Sequence, residues 1–270
     1  MSLFKRLITW LMYKKLSQIN SLYQSHAGQE CYIFGDGTSV KWIDLHQLGN
    51  KPSILGNMSI YHKEVSALNA LYCCVIEPYF FYPFFPTLYK GKLRMLKHHL
   101  HTEYRKSIKQ NPGKLFFINI SNFPVARFRN AMFVSRKYLP PFKEKNLFKD
   151  RTDTHDGTLK FQISLAIFLG FKKAYLVGHD YTHSNSKSLH FYEKGEGVTN
   201  DNKDFCKEFL DHAKQHIDLV TVTLAGESDT LDSITYMELT GQDPKYRENY
   251  EIVDKAKLDC LNTWHGYTVF

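Results

Sequence analysis

The sequence predicts an α/β fold: one domain built on a doubly wound, mostly parallel sheet of the Rossmann-like type. Three observations predict it. Short apolar runs rich in β-branched and aromatic residues recur along the chain, segments of helical spacing lie between them, and the runs end in glycine or polar residues. Strands covered by helices on both faces read as unbroken apolar runs rather than alternating ones. Regular strand–helix alternation then implies a doubly wound order.

The N-terminal stretch MSLFKRLITWLMYKKL sets Leu3, Phe4, Leu7, Ile8, Leu11 and Met12 at helical spacing, with Lys5, Arg6, Lys14 and Lys15 flanking them and Trp10 nearby. A helix with such an apolar face and cationic border suits a membrane interface, and equally suits an amphipathic helix packed on its own domain. It carries no small-residue cleavage site, so it does not read as a secretory signal. No apolar run approaches the roughly 18–20 residues of a membrane span. The expected location is cytoplasmic, peripheral to the inner membrane.

Expected strands are CYIFG (31–35), SILGN (53–57), YCCVIEP (72–78), LFFINI (115–120), MFVS (132–135), AYLVGHD (174–180) and LVTVTL (219–224), with helical patterns at 39–48, 62–70, 87–110, 156–170 and 201–217. Residues 79–151 are rich in aromatic, proline and basic residues and read as a lid or acceptor-side insertion. The implied organisation is a basic amphipathic helix over 1–27, the Rossmann-like domain over 28–240 and a helical tail over 241–270.

Composition narrows the partners. The formal charge is +8, from 35 Lys+Arg against 27 Asp+Glu, which favours anionic ligands without bearing on fold. No basic repeat, zinc-finger spacing or RNA-binding aromatic motif is present, which argues against nucleic acid. The 20 Phe, 17 Tyr and 3 Trp can fill a core or line sugar and nucleotide sites. Five cysteines without a CxxC pair read as reduced, buried thiols.

In doubly wound folds, ligands bind at the carboxyl ends of the strands, where helix N-termini offer N–H groups. The candidate ends are Gly35 to Ser39, Gly56-Asn57, Glu77-Pro78, Gly178 to Tyr181 and Ala225 to Ser228. In GDGTS, Gly35 and Gly37 permit a sharp turn and close approach to a ligand, while Ser39 can cap a helix or bond a phosphate. The third glycine of the dinucleotide fingerprint is missing, which disfavours a nicotinamide enzyme. Thr154 or Asp156 can cap the next long helix, whose first turn carries Gly157 and Thr158. His155, Asp156, His179, Asp180, His183 and His190 could be read as metal ligands, but they fall on separate loops without an HExxH spacing, and neither a metal nor another cofactor is expected. The KHHLH run (97–101) reads as a solvated basic helix. No GxSxG elbow or P-loop lysine motif occurs.

Taken in order, these motifs resemble the bacterial sialyltransferases of glycosyltransferase family 42 and their wider relatives, the motility-accessory-factor flagellin glycosyltransferases. IFGDGTSVKWIDLHQL is similar to the family's first strand, Gly-x-Gly-x-Ser turn and "ID" helix. ILGNMSIY is similar to its second strand and VIEP to a strand ending in Asn-Pro. HDGTLKFQISLAIFLGFKKAYLVGHDYT is similar to its Thr-Ser-Gly helix and "YLxGxDF" strand, and LHFYEKGE to its His-bearing segment. About half the chain is covered, chiefly 30–80 and 150–230.

The resemblance implies an inverting transferase that uses a CMP-activated sugar (sialic acid, Kdo or another nonulosonic acid) in bacterial surface polysaccharide, capsule or lipooligosaccharide synthesis. It implies that Gly35, Asp36, Gly37 and Ser39 lie at the nucleotide. Asn57 would meet the phosphate or sugar carboxylate, and Gly157 and Thr158 the carboxylate or ribose. Glu77 and Ser228 complete the expected donor side. Tyr181 would hydrogen-bond the leaving phosphate and His190 would be the general base. Glu77 stands where the family has Asn, His155 where it has Arg (with Arg151 nearby), and its paired tyrosines reduce to Tyr181 and Tyr192. Expected partners are the CMP-sugar, a glycan or glycolipid acceptor, an anionic membrane surface and a second copy of the chain. Two other classes fit the residues: a Mg-dependent phosphotransfer enzyme using Asp36, Glu77 and Asp180, and a non-catalytic nucleotide-sugar binding protein.

Overall fold

The computed structural model describes residues 12–89, 92–135, 157–182, 186–200, 206–263 and 269. Its centre is an eight-stranded, fully parallel sheet. In chain order the strands are β1 (Glu30–Phe34), β2 (Ser53–Leu55), β3 (Ala70–Val75), the paired β4 (Phe84–Tyr89) and β5 (Lys92–Lys97), β6 (Leu115–Asn119), β7 (Ala131–Val134), β8 (Lys173–Val177), the paired β9 (Ser186–Ser188) and β10 (Val198–Asn200), β11 (Asp218–Thr223) and β12 (Asp232–Thr235). Across the main sheet they run β12-β11-β8-β1-β2-β3-β6-β7, while β4–β5 and β9–β10 form separate hairpins.

Side-chain alternation divides each central strand between two cores. Tyr32 and Phe34, Cys73 and Val75, Phe116 and Ile118 face one core. Cys31 and Ile33, Tyr72 and Cys74, and Phe117 face the other. Period-two geometry with helices on both faces produces this split. Each fully buried large apolar side chain contributes about 1.5–3 kcal/mol. The Thr158–Leu169 helix is buried almost throughout, as a helix that is apolar all round must be. Gly170, at φ +89°, ends it in the left-handed conformation. Gln162 of this helix donates its amide to the carbonyls of Phe34 and Ile54, at 2.9 and 3.2 Å. That bond pair seats the helix under the carboxyl ends of β1 and β2.

Several local expectations are corrected. The helical pattern over 87–110 begins only at Leu100; before it lies the β4–β5 hairpin, consistent with the two-residue alternation of Lys92-Leu93-Arg94-Met95. The crossovers at 39–48 and 62–70 are short 3-10 turns rather than α-helices. His98 is buried, not solvated, and its Nε2 lies 3.1 Å from the Tyr82 carbonyl. Within 79–151, β6 and β7 extend the main sheet. Residues 12–16 are helical and lead into a 3-10 turn at Ser17–Leu22; Leu16 and Ile19 are buried in the two cores. The apolar face at Leu3 to Leu11 lies outside the described residues. Among the described residues, no helix is long and apolar enough to cross a membrane.

Candidate active site

From β1 the chain proceeds to β2 on one side, and from β8 to β11 on the other, although β1 and β8 are neighbours. This reversal is the topological switch point, and the crevice above it is where doubly wound sheets bind ligands. Its walls are Gly35–Ser39 after β1 and Gly178–Thr182 after β8.

The two walls interlock. Gly35 N–H donates to Val177 O and Gly37 N–H to Gly178 O, both at 2.8 Å. A Cβ on Gly35 would lie 2.4 Å from Gly178 O, and one on Gly37 would lie 2.5 Å from the same atom. These glycines are therefore required by the chain's own β8 turn. Ser39 is committed in the same way: its N–H and its hydroxyl both donate to Asp180, at 2.9 and 2.5 Å. The buried Asp180 carboxylate caps the Thr38–Trp42 turn at the spot where the sequence suggests a phosphate.

Asp36 faces β2. Its carboxylate accepts the Ser59 hydroxyl at 2.7 Å and the Met58 N–H at 3.1–3.2 Å. Burial pushes its pKa up, while Ser59, His190 and the backbone donors act against that rise. The carbonyl of Asp36 accepts the Phe191 N–H at 2.9 Å, and Gly37 pairs antiparallel with His190. His190 is thereby laid directly on the GDG turn. Leu189, just before it, has φ +91°, a conformation that costs a non-glycine residue about 1–3 kcal/mol and clusters at functional sites.

His190 Nδ1 lies 2.7 Å from Glu193 Oε2, and the same oxygen accepts the His190 N–H at 3.0 Å. Glu193 is 3% exposed, whereas the His190 side chain is 37% exposed. The imidazole stacks on buried Tyr192, with centroids 4.9 Å apart and planes 7° off parallel. A carboxylate on Nδ1 makes that nitrogen the donor and places the acceptor lone pair on Nε2. Tyr192, the second expected tyrosine, is thus the floor under the His190 ring.

Tyr181 sits on the Asp180–Thr182 turn and is 42% exposed. Burial, then the charges of Asp180 and Glu193, push its phenol pKa up and keep it a proton donor. Ser228 supports that turn from behind: its hydroxyl donates to Thr182 O and accepts the N–H groups of Thr230 and Leu231.

Asn57, Gly157 and Thr158 are brought together at the end of β2. Asn57 Nδ2 donates to Thr158 Oγ1 at 3.3 Å, and Asn57 O accepts the Tyr104 hydroxyl at 2.5 Å. Asn57 Oδ1 is buried without a hydrogen-bond donor among the described residues. Gly157, at φ +85°, opens the Thr158–Leu169 helix. Glu77 lies farther along, past the end of β3, with its carbonyl accepting Asn122 Nδ2 at 3.0 Å. His179 is buried against Gly35. Arg151, Thr154, His155, Asp156 and His183 lie outside the described residues.

Glu193 and Lys41 were not singled out from the sequence. The signal for Glu193 was its position three residues after His190 in LHFYEKGE; nothing local marks Lys41. Among the described residues, the side chains whose ligand atoms lie within metal-binding reach of one another are Asp44, His46 and Glu64, at 4.8 Å or less. They line a separate cleft of about 300 Å³ beside Trp42 and Tyr236. There Glu64 is already forked by Arg247 and accepts the Leu45 N–H.

No family model matches the chain, and no curated protein matches its sequence. Among solved structures it is similar to the sialyltransferase CstII from Campylobacter jejuni in complex with cytidine-5'-monophosphate. That match has 16% identity and a TM-score of 0.46, over 88% of this chain and 98% of that one. Against the sialyltransferase CST-II in complex with a trisaccharide acceptor and CMP, identity is 17% and the TM-score 0.43, over 87% and 99% of the two chains. The MAf glycosyltransferase from Magnetospirillum magneticum AMB-1 is similar at 11% identity and a TM-score of 0.42, over 93% of this chain and 41% of that one.

Proposed function

We propose that the chain is an inverting glycosyltransferase that moves a nonulosonic acid or related sugar from a CMP-activated donor to a hydroxyl of a glycan or glycolipid. The observation that carries this reading is the His190–Glu193 pair laid on the GDG turn at the switch-point crevice. The acceptor hydroxyl gives its proton to His190 Nε2 as its oxygen bonds to the anomeric carbon. The bond from that carbon to phosphate breaks, and CMP leaves with the electron pair. Glu193 stabilises the imidazolium that forms, as a buried carboxylate on Nδ1 does. Tyr181 donates to the leaving phosphate, where charge grows in the transition state. Asn57, Thr158 and the N-terminus of the Thr158–Leu169 helix hold the donor's phosphate or carboxylate. Gly35, Gly37, Ser39 and Ser228 serve as the frame, since their contacts are with the chain itself.

The phosphotransfer reading is less well served by the geometry. Asp36 and Asp180 are each spent on hydroxyl and N–H donors of the chain, and Glu77 stands two strands away from β1. We place the work in surface-glycan synthesis at the cytoplasmic face of the inner membrane, with the N-terminal helix as the contact and a homo-oligomer as the assembly.

The test is release of CMP from CMP-N-acetylneuraminic acid and from CMP-Kdo, with and without a lactose-terminated acceptor, beside UDP- and ADP-sugars. Turnover of a CMP-sugar that falls about 10²–10⁴-fold in His190→Ala, the usual contribution of a positioned base, supports the reading. Turnover confined to UDP- or ADP-sugars overturns it.

A further inference from the structure

The turn that carries Glu193 is held through its backbone, by groups from two distant parts of the chain. Lys41, buried completely on the turn after β1, donates from Nζ to Glu193 O and to Gly195 O, each at 2.5 Å. The same ammonium lies 3.7 Å from Glu248 Oε2. Glu248 Oε2 in turn accepts the Gly195 N–H at 3.4 Å, and its Oε1 accepts the Tyr246 hydroxyl at 2.6 Å. Buried Asn249 donates to Tyr192 O at 2.9 Å. Backbone groups of Tyr192, Glu193 and Gly195 are thus fixed by side chains outside the loop.

A buried ammonium is costly to desolvate, and apolar replacement of a buried pair is often neutral, so the burial of Lys41 is weak evidence of a purely stabilising role. A flexible loop would let the Glu193 carboxylate wander, and an error near 1 Å in a reacting group can cost about 100-fold in rate. We propose that Lys41, backed by Glu248, is a positioning residue that sets the Glu193 carboxylate on His190 Nδ1 and so fixes the tautomer of the base. The proposal deepens the transferase reading and rests on His190 being its base. The two can still fail separately, because the tautomer is observable without turnover.

The experiment uses the full chain labelled with ¹⁵N-histidine, the His190 signals being assigned by their loss in His190→Ala. In the wild type His190 is in the Nδ1–H form. In Lys41→Met that form gives way to a mixture of tautomers. CMP release from CMP-N-acetylneuraminic acid falls about 10-fold or more through kcat, with the donor KM changed less than about twofold, since misorientation acts on the reacting geometry. Glu248→Gln keeps an acceptor for Gly195 and shifts the tautomer in the same direction by a smaller amount.

A folded Lys41→Met protein with the wild-type tautomer overturns the proposal. If Lys41→Met does not fold, Glu248→Gln decides: an unchanged His190 spectrum overturns the proposal, and a partial shift supports it. A tautomer shift in Lys41→Met combined with full turnover in His190→Ala upholds the positioning and removes the base assignment.

Discussion

The Asp180 carboxylate accepts both the backbone N–H and the hydroxyl of Ser39, joining the turn after β8 to the turn after β1 across the switch point. The bond pair is buried, so deleting one partner leaves the other unsatisfied at about 1–3 kcal/mol. Asp180→Ala and Ser39→Ala should each lower the urea midpoint. The double variant should cost less than their sum, because neighbours in one network couple. Strict additivity in the cycle would show that the two groups do not act together.

Two glycines at strand and helix ends of the candidate site separate backbone strain from crowding. Gly157 and Gly178 both have positive φ, but among the described residues a Cβ on Gly157 meets nothing within 4 Å. On Gly178 it would stand 2.5 Å from Val40 Cγ2 and 2.8 Å from Gly35 O. Gly157, at φ +85° and ψ 165°, lies in a backbone region kept almost entirely to glycine, so Gly157→Ala should cost about 1–3 kcal/mol through backbone strain. Gly178→Ala should cost clearly more and reopen the β1–β8 junction. Thermal melts giving equal losses would contradict the interlocked packing.

Acid should destabilise the fold through two buried histidines. Burial lowers the pKa of His62 to about 4, with Arg247 and Lys63 adding to the shift and Glu64 and Asp44 opposing it. His98 is lowered to about 4 by burial and by His101 and His99, against the Tyr82 carbonyl. A folded pKa below the unfolded value near 6.5 means that the unfolded chain binds more protons between pH 6.5 and 4. Stability therefore falls as pH drops through that window and levels off below it, by about 1–3 kcal/mol per histidine. Asp36, raised by burial, acts in the opposite sense, contributing stability at low pH that is lost as pH rises through its folded pKa. Urea midpoints from pH 7.5 to 4 should show the slope, and His62→Gln with His98→Gln should flatten it. A slope unchanged in the double variant would assign the acid sensitivity elsewhere.

Tyr181 and Glu193 should fail differently under assay. On the proposed mechanism Tyr181→Phe removes a donor to the developing phosphate charge, so kcat and kcat/KM should fall together with little change in CMP affinity. On the same proposal Glu193→Gln keeps a hydrogen-bond acceptor but removes the charge that would stabilise an imidazolium at His190, so the rate should fall while the fold persists. A Tyr181→Phe enzyme whose only defect is a raised donor KM would make Tyr181 a ground-state binder.

Much of the sheet was legible because a parallel strand buried on both faces cannot hide its composition. CYIF, YCCV and LFFIN are apolar throughout, and each lies in the main sheet. β12, with the sequence DSIT, was not legible: it is an edge strand with two exposed residues, and no apolar run marks it. The 87–99 segment was misread because its apolar residues satisfy a helical spacing as well as the two-residue period of the β4–β5 hairpin. His98 looked solvated because its burial depends on Tyr82 and the ring of Phe80, which sequence spacing does not show. In the site, His190 was visible as a motif residue. The Ser39–Asp180 bond was not, since its partners are 141 positions apart. A glycine-rich strand end announces a tight approach, but the sequence alone does not say whether a ligand or the next strand makes it.

The bonds from Lys41 and Asn249 to the Tyr192–Gly195 turn also order events during synthesis. Asn249 is encoded 57 positions beyond Tyr192, so a nascent chain that already contains His190 and Glu193 still lacks one of their supports. A ribosome-bound intermediate halted before residue 248 would hold β1, β8 and Lys41 but lack the contacts of Glu248 and Asn249 to the turn. Completion of the turn's support then follows translation of the segment that carries Asn249, and stalled or prematurely terminated chains would fold their sheet with the histidine held from the Lys41 side alone.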